Sequence, residues 1–267
     1  MYRILVPLDG SRLSEKVLGP VMTLVRPVNG SVTLFHAVTP TEYFSVTAAQ
    51  YVQQERRWSA AYLRDLAQRV GRFGNGVQER IVTGEASREI VAEARRSQAD
   101  LIAMSSHGRS GVSDWAFGSI TERVLRTTNT PVLVIRGSLP KAYAIRKILF
   151  AWDGSDESLD VAAPAADLAA AVNATVELVH VGKKYPPRLS TALKIFATRR
   201  VDAQARLLRG TPAAAILAAL GEEGADLLAL TTTGKTRRDQ LFFGSAAEEI
   251  LKKAKKPLLV VHTGQVA

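Results

Sequence analysis

The chain has 267 residues, 46% of them apolar, a formal charge of +10 and no cysteine. That is enough apolar side chain for one large core or two ordinary ones, and it excludes disulfides, thiolate catalysis and cysteine-ligated zinc or iron–sulfur sites. No apolar run approaches the ~18 residues of a membrane span, and "MYRILVPLDGS" lacks the pattern of a signal peptide, so a cytoplasmic protein is expected. The four histidines, at 36, 107, 180 and 262, lie too far apart to read as a metal motif.

Strand-like runs come first at "RILVPL" (3–8), "SVTLFHAV" (31–38), "VQERIV" (77–82), "DLIAMS" (100–105) and "PVLVIR" (131–136). Helical periodicity fills the gaps near 12–26, 42–72, 86–97 and 119–128. Gly, Ser and Pro then interrupt the apolar pattern in "RGSLPKAYAIRK" (136–147). Strands resume near 147–152, 175–181, 203–209, 226–231 and 257–262. Alternating β and α elements imply a parallel sheet with helices on both faces, joined by right-handed crossovers.

The second series copies the first. "ILVPLDGS" at 4–11 recurs as "ILFAWDGS" at 148–155, and "VTLFHAV" at 32 as "VELVHVG" at 176, both at an offset of 144. Gly84, Asp100, Gly108, Gly118 and Pro131 match Gly210, Asp226, Gly234, Gly244 and Pro257 at 126. A constant offset on either side of one 18-residue deletion predicts two homologous domains, 1–138 and 145–267, with a linker at 139–144. The deletion falls in the segment matching 42–72, so the second copy is expected to have a shorter helix there and a more open site.

An open parallel sheet binds its ligand beyond the carboxyl ends of its strands, where strand order reverses. In the first copy the loops at that place are Asp9-Gly10-Ser11 and Ser105 to Ser119. Asp9 suits a base amino group or a ribose hydroxyl, and equally a turn whose Ser11 caps the next helix. Gly108 and Gly118 allow close backbone approach, and a helix starting at Gly118-Ser119 offers N–H groups and its positive dipole end to phosphate. Arg109, or Lys235 in the second copy, adds a charge-assisted contact. Ser119-x-x-Glu122 and Ser245-x-x-Glu248 also fit capping boxes.

Other readings fall away. "GKT" at 234–236 is not a P-loop, because the first glycine of that motif would stand at Ala229, and no G-x-G-x-x-G occurs. His107 corresponds to Thr233 and belongs to no Ser–His–acid order. His36 and His180 fit packing or a backbone hydrogen bond. The basic pairs read as solvated helix faces, and no helix-turn-helix, zinc finger or aromatic stacking motif supports nucleic-acid binding.

Together these residues resemble the universal stress protein family over essentially the whole chain, as a tandem of two domains. The signature of its nucleotide-binding branch is G-x-x-G, nine residues, then G-S or G-T. Here it reads Ser105-x-x-Gly108, nine residues, Gly118-Ser119, and Thr231-x-x-Gly234, nine residues, Gly244-Ser245. The first glycine is replaced by Ser105 and Thr231. The resemblance implies an α/β fold of two open five-stranded parallel sheets, strand order 3-2-1-4-5, with helices on both faces. Their fifth strands, "PVLVIR" and "PLLVVH", would meet within the chain as a pseudo-two-fold pair. It further implies that Asp9 and the backbone of Ala37 hold adenine, with Pro7 and Met104 near it. Ser105 and Gly108 would lie by the ribose and first phosphates, and Arg109, Gly118 and Ser119 along the phosphate chain. Asp153, Val181, Thr231, Gly234, Lys235, Gly244 and Ser245 are the equivalents, and Trp152 stands where the first copy has Leu8.

The function implied is an ATP-binding regulatory protein of the stress response. ADP or AMP in place of ATP, an accompanying Mg2+ and homodimerisation of the whole chain stay open, and no protein metal ligand is assigned. One alternative is a nucleotide-free scaffold acting through protein partners. The other is a slow ATP hydrolase or phosphotransferase, for which no general base, acidic metal pair or covalent nucleophile stands beside the loops. Neither nucleic acid nor membrane is an expected partner.

Overall fold

The structure is a computed structural model that describes residues 2–40, 47–71, 76–106, 118–136, 139–140, 143–222, 224–232 and 243–262. The first half runs β1 (Arg3–Pro7), α1 (Arg12–Glu15), α2 (Leu18–Val25), β2 (Ser31–Val38), α3 (Ala48–Gly71), β3 (Val77–Thr83), α4 (Ala86–Arg96), β4 (Leu101–Ser105), α5 (Ser119–Thr127) and β5 (Val132–Ile135). The second runs β6 (Lys147–Ala151), α6 (Asp156–Leu159), α7 (Ala162–Val172), β7 (Thr175–Val181), α8 (Leu189–Thr198), β8 (Ala203–Leu208), α9 (Pro212–Glu222), β9 (Leu227–Thr231), α10 (Ser245–Lys253) and β10 (Leu258–Val261).

Two five-stranded sheets that meet through their fifth strands were expected. The strands form one ten-stranded sheet in the order β3-β2-β1-β4-β5-β10-β9-β6-β7-β8, continuous through β5 and β10 rather than two sheets. β5 and β10 pair antiparallel, with Leu133 opposite Leu259, and so satisfy backbone groups that would otherwise line two exposed edges. The ladders of β1 with β2 and β4, and of β6 with β7 and β9, are parallel. By packing, one compact unit comprises Met1–Val124 with Ser138–Ala142, and the other Leu125–Gly137 with Tyr143–Ala267. The fifth strand of the first copy therefore clusters with the second unit.

Burial follows position in the sheet. Inner strands such as β5 and β10 are continuous apolar runs buried along their length, as strands covered on both faces must be. The outer strands β3 and β8 are half-exposed. Phe35, Phe150, Phe196 and Trp152 are among the largest fully buried side chains, each contributing about 1.5–3 kcal/mol of transfer free energy.

The matched aspartates have a structural role that the repeat alone did not specify. Asp100 accepts from the backbone N–H of Arg3 at 2.7 Å, and Asp226 from those of Arg146 at 2.8 Å and Lys147 at 3.1 Å. Each carboxylate thus fixes the start of the first strand of its copy. The helix expected at 12–26 is broken into α1 and α2 around Lys16 and Val17. Pro20 lacks the N–H that would bond the Lys16 carbonyl, and Pro164 acts alike between α6 and α7. α3 has 24 residues and α8 only 10, the shortening expected from the deletion.

Candidate functional site

At the carboxyl end of β1 the chain turns sharply. Asp9 Oδ1 accepts from the Ser11 N–H at 2.9 Å, and the Ser11 hydroxyl caps α1 by accepting from the Ser14 N–H at 3.1 Å. Gly10 between them has φ 81°, a left-handed conformation that glycine adopts without a Cβ penalty. The second copy repeats the turn. Asp153 Oδ1 accepts from the Ser155 N–H at 2.9 Å and the Ser158 hydroxyl at 2.6 Å, and Gly154 has φ 86°. Both aspartates therefore shape their turns. A carboxylate has about four acceptor positions, so a turn bond does not exhaust it.

A histidine pins each of these strand ends. His36 Nδ1 lies 2.7 Å from the Leu8 carbonyl, and His180 Nδ1 2.9 Å from the Trp152 carbonyl. A carbonyl only accepts, so Nδ1 carries the proton in both rings. The peptide just before Asp9 or Asp153 is held from the second strand of its copy.

The second loop of each pair ends on a helix N-terminus. The Gly118 N–H donates to the Ser106 carbonyl at 2.8 Å and the Gly118 carbonyl accepts from Glu122 at 3.0 Å. Gly244 does the same with Thr232 at 3.0 Å and Glu248 at 2.8 Å. Gly244 is the N-cap of α10, with no side-chain cap bond. This corrects the capping-box reading at Ser245, which is the first residue inside the helix. The N–H groups of the opening turn have no acceptor within the helix itself, and the helix dipole adds partial positive charge there.

These parts enclose a cavity in each half. The first, of about 360 Å3, is lined by Pro7, Asp9, Ala37, Met104, Ser105, Gly118 and Ser119 among others. The second, also about 360 Å3, is lined by Asp153, Val181, Thr231, Gly244 and Ser245 among others. Small-ligand sites span about 300–1,000 Å3. Gly108, Arg109, Gly234 and Lys235, with His107, lie outside the described residues. The deletion leaves the second cavity with the same volume as the first. Pro186 closes in on its turn, where a Cβ on Gly154 would lie 2.7 Å from Pro186 Cγ.

Sequence reasoning missed Tyr51 and Glu55 of α3, which also line the first cavity. On the same helix Trp58 stacks on Tyr62 at 5.1 Å and meets the edge of His36 at 5.7 Å. Burial and then the nearby Glu15 carboxylate push the Tyr62 phenol above its ordinary 10. The one available signal was the spacing of 51, 55, 58 and 62, a single helix stripe. Among the described residues, no group of three or more His, Asp or Glu is placed to hold a metal ion, and no helix is long and apolar enough to cross a membrane.

An α/β protein with duplicated strand-end cavities, each bounded by an Asp-Gly-Ser turn and a glycine-led helix N-terminus, is the class that fold and site define. The model of the universal stress protein family matches residues 1–136 and again 144–262. The chain belongs to that family, as a tandem member. It is 30% identical over 141 residues to a universal stress protein of Methanocaldococcus jannaschii, covering 50% of this chain and 81% of that one. A Thermus aquaticus universal stress protein is 34% identical over 135 residues, 44% of this chain and 98% of that one. The crystal structure of a universal stress protein from Archaeoglobus fulgidus superposes with a TM-score of 0.77 at 20% identity, over 98% of this chain and 97% of that one. That likeness speaks for the fold.

Proposed function

We propose that the protein binds an adenine nucleotide, ATP in the first instance, in each of its two cavities and acts as a regulatory protein of the stress response. The observation that carries this reading is the convergence, in each half, of a first-strand carboxylate, the backbone at the end of the second strand and a glycine-led helix N-terminus around one cavity. The carboxylate and strand end suit a base and ribose. The helix N-terminus suits phosphate. Gly108, Arg109, Gly234 and Lys235 complete the phosphate side of the proposal, with Ser105 and Thr231 by the ribose. Domains 1–138 and 145–267 are the proposed binding halves, working in the cytoplasm.

Among the described residues no side chain at either cavity has the arrangement of a nucleophile with its base, and binding and release, rather than turnover, is the activity proposed. Regulation then requires that nucleotide bind two states of the protein unequally. A second reading, a nucleotide-free scaffold, is favoured by the engagement of both aspartates in their own turns.

The test is to release and chromatograph the small molecules carried by the purified chain, and then to titrate the stripped protein with ATP. Two equivalents are expected. Gly118→Val and Gly244→Val place branched side chains at the cavity wall, and each is expected to remove one equivalent. Absence of ATP from the purified chain together with no binding on titration would leave the scaffold reading standing alone.

A further inference from the structure

α3 is where the two copies differ most, and it supplies a wall that the second cavity lacks. Tyr51 and Glu55, one helical turn apart, line the first cavity. No residue of α8 lines the second, whose one acidic lining residue among the described residues is Asp153. The backbone carbonyl of Glu55 accepts from the Ser59 hydroxyl at 2.6 Å. Its carboxylate has neither an ion pair nor a hydrogen bond among the described residues. A half-buried carboxylate without a partner, facing a cavity, is an unusual arrangement. An ionised carboxylate accepts hydrogen bonds and donates none.

Topology gives this acceptor a direction. α3 packs on β2 and β3, whereas α5 follows β4, and β1 lies between β2 and β4 in the sheet. Glu55 therefore belongs to the β2 side of the cavity, with Ala37, and the N–H groups opening α5 belong to the β4 side. A ligand with phosphate against α5 has its base on the side of Glu55.

Resting on the nucleotide reading above, we propose that Glu55 is a specificity residue of the first cavity alone. Its carboxylate accepts from the exocyclic amine of the bound base and disfavours the oxo oxygen of the corresponding hypoxanthine. The first cavity therefore adds a preference for an amino-bearing purine to whatever Asp9 and Asp153 supply in common. Hydrogen bonds to charged groups are among the stronger ones, and a preference of about tenfold or more follows.

The experiment titrates the stripped full-length chain and its Glu55→Gln variant with ATP, inosine triphosphate and 2′-deoxy-ATP, after matching their thermal unfolding midpoints. Glutamine has nearly the same shape, and its amide accepts from an amine or donates to an oxo group. The expected result is a narrowing of the ATP to inosine triphosphate ratio by about tenfold, on one equivalent of the two, with the ratio of ATP to 2′-deoxy-ATP unchanged. An unchanged ratio, or an equal loss of all three ligands, overturns the role of Glu55. A change confined to the 2′-deoxy comparison overturns it as well, by assigning the carboxylate to the ribose. Failure of the wild-type chain to bind ATP at all would instead remove the nucleotide reading on which the proposal rests.

Discussion

His262 follows the last strand, 7% exposed, with Nδ1 2.8 Å from the Thr232 hydroxyl. Burial first, and then the positive charge of Arg126, hold its imidazole below the ordinary 6.5. Arg126 itself lies over the Phe243 ring at 4.3 Å. The unfolded chain thus takes up the His262 proton before the folded one does as pH falls. Stability owed to the neutral ring is complete above about 6.5 and is lost below it, toward the lower folded value. Midpoints of thermal unfolding recorded from pH 8 to pH 5 should fall more steeply for the wild type than for His262→Gln, and parallel curves would contradict this. Single residues were legible where the repeat marked them. Asp9 and Asp153, Ser105 and Thr231, and Gly118 and Gly244 recur at fixed offsets and line matched cavities. Glu55 was not, because the repeat offset breaks across its segment and a carboxylate in a helical pattern carries no mark of what it faces.

Among the helices, α4 shows how a cap can depart from the favoured residue types. Glu85 is its N-cap, accepting from the Ser87 N–H at 3.2 Å, the Arg88 N–H at 2.9 Å and the Ser87 hydroxyl at 2.7 Å. Burial acts to raise this carboxyl, yet the Ser87 hydroxyl, the two amides and Arg123 together hold it below the usual carboxylate range. Glu85→Ala is expected to cost about 1 kcal/mol, a fall of roughly 2–4 °C in the unfolding midpoint at neutral pH. Glu85→Gln, which keeps an acceptor, should lose less; equal losses would assign the effect to something other than the cap. α5 and α10 show the limit of cap reading from sequence. Ser-x-x-Glu predicts a serine cap in both. Gly244 instead is tied to the Thr232 carbonyl with ψ 146°, so it is the last extended residue and Ser245 falls inside the helix. A long-range backbone bond settled a boundary that local pattern placed one residue late.

The ten-stranded sheet joins strands from both copies, and its parallel ladders follow from the alternation of apolar runs and helices that the sequence displays. The antiparallel contact of β5 with β10 came from family resemblance, since apolar content says that a strand is buried and not what covers its edge. Residues 1–138 expressed alone would carry β5 without Leu258, Leu259 and Val260 beside it. That piece should self-associate, shown by a mass at or above twice the monomer in light scattering, because an unpaired apolar edge is a template for another strand. A monodisperse monomer would mean that β5 needs no cover.

The unequal lengths of α3 and α8 carry a broader implication. Each cavity has a floor, made of strand ends and turns, and the first has in addition a side supplied by the segment after its second strand. The 18-residue difference between the copies falls in that segment, leaving Asp9 and Asp153 in equivalent turns. If the proposed binding holds, one duplicated scaffold has acquired two different tastes in ligand by remodelling a single replaceable panel, with its foundations untouched.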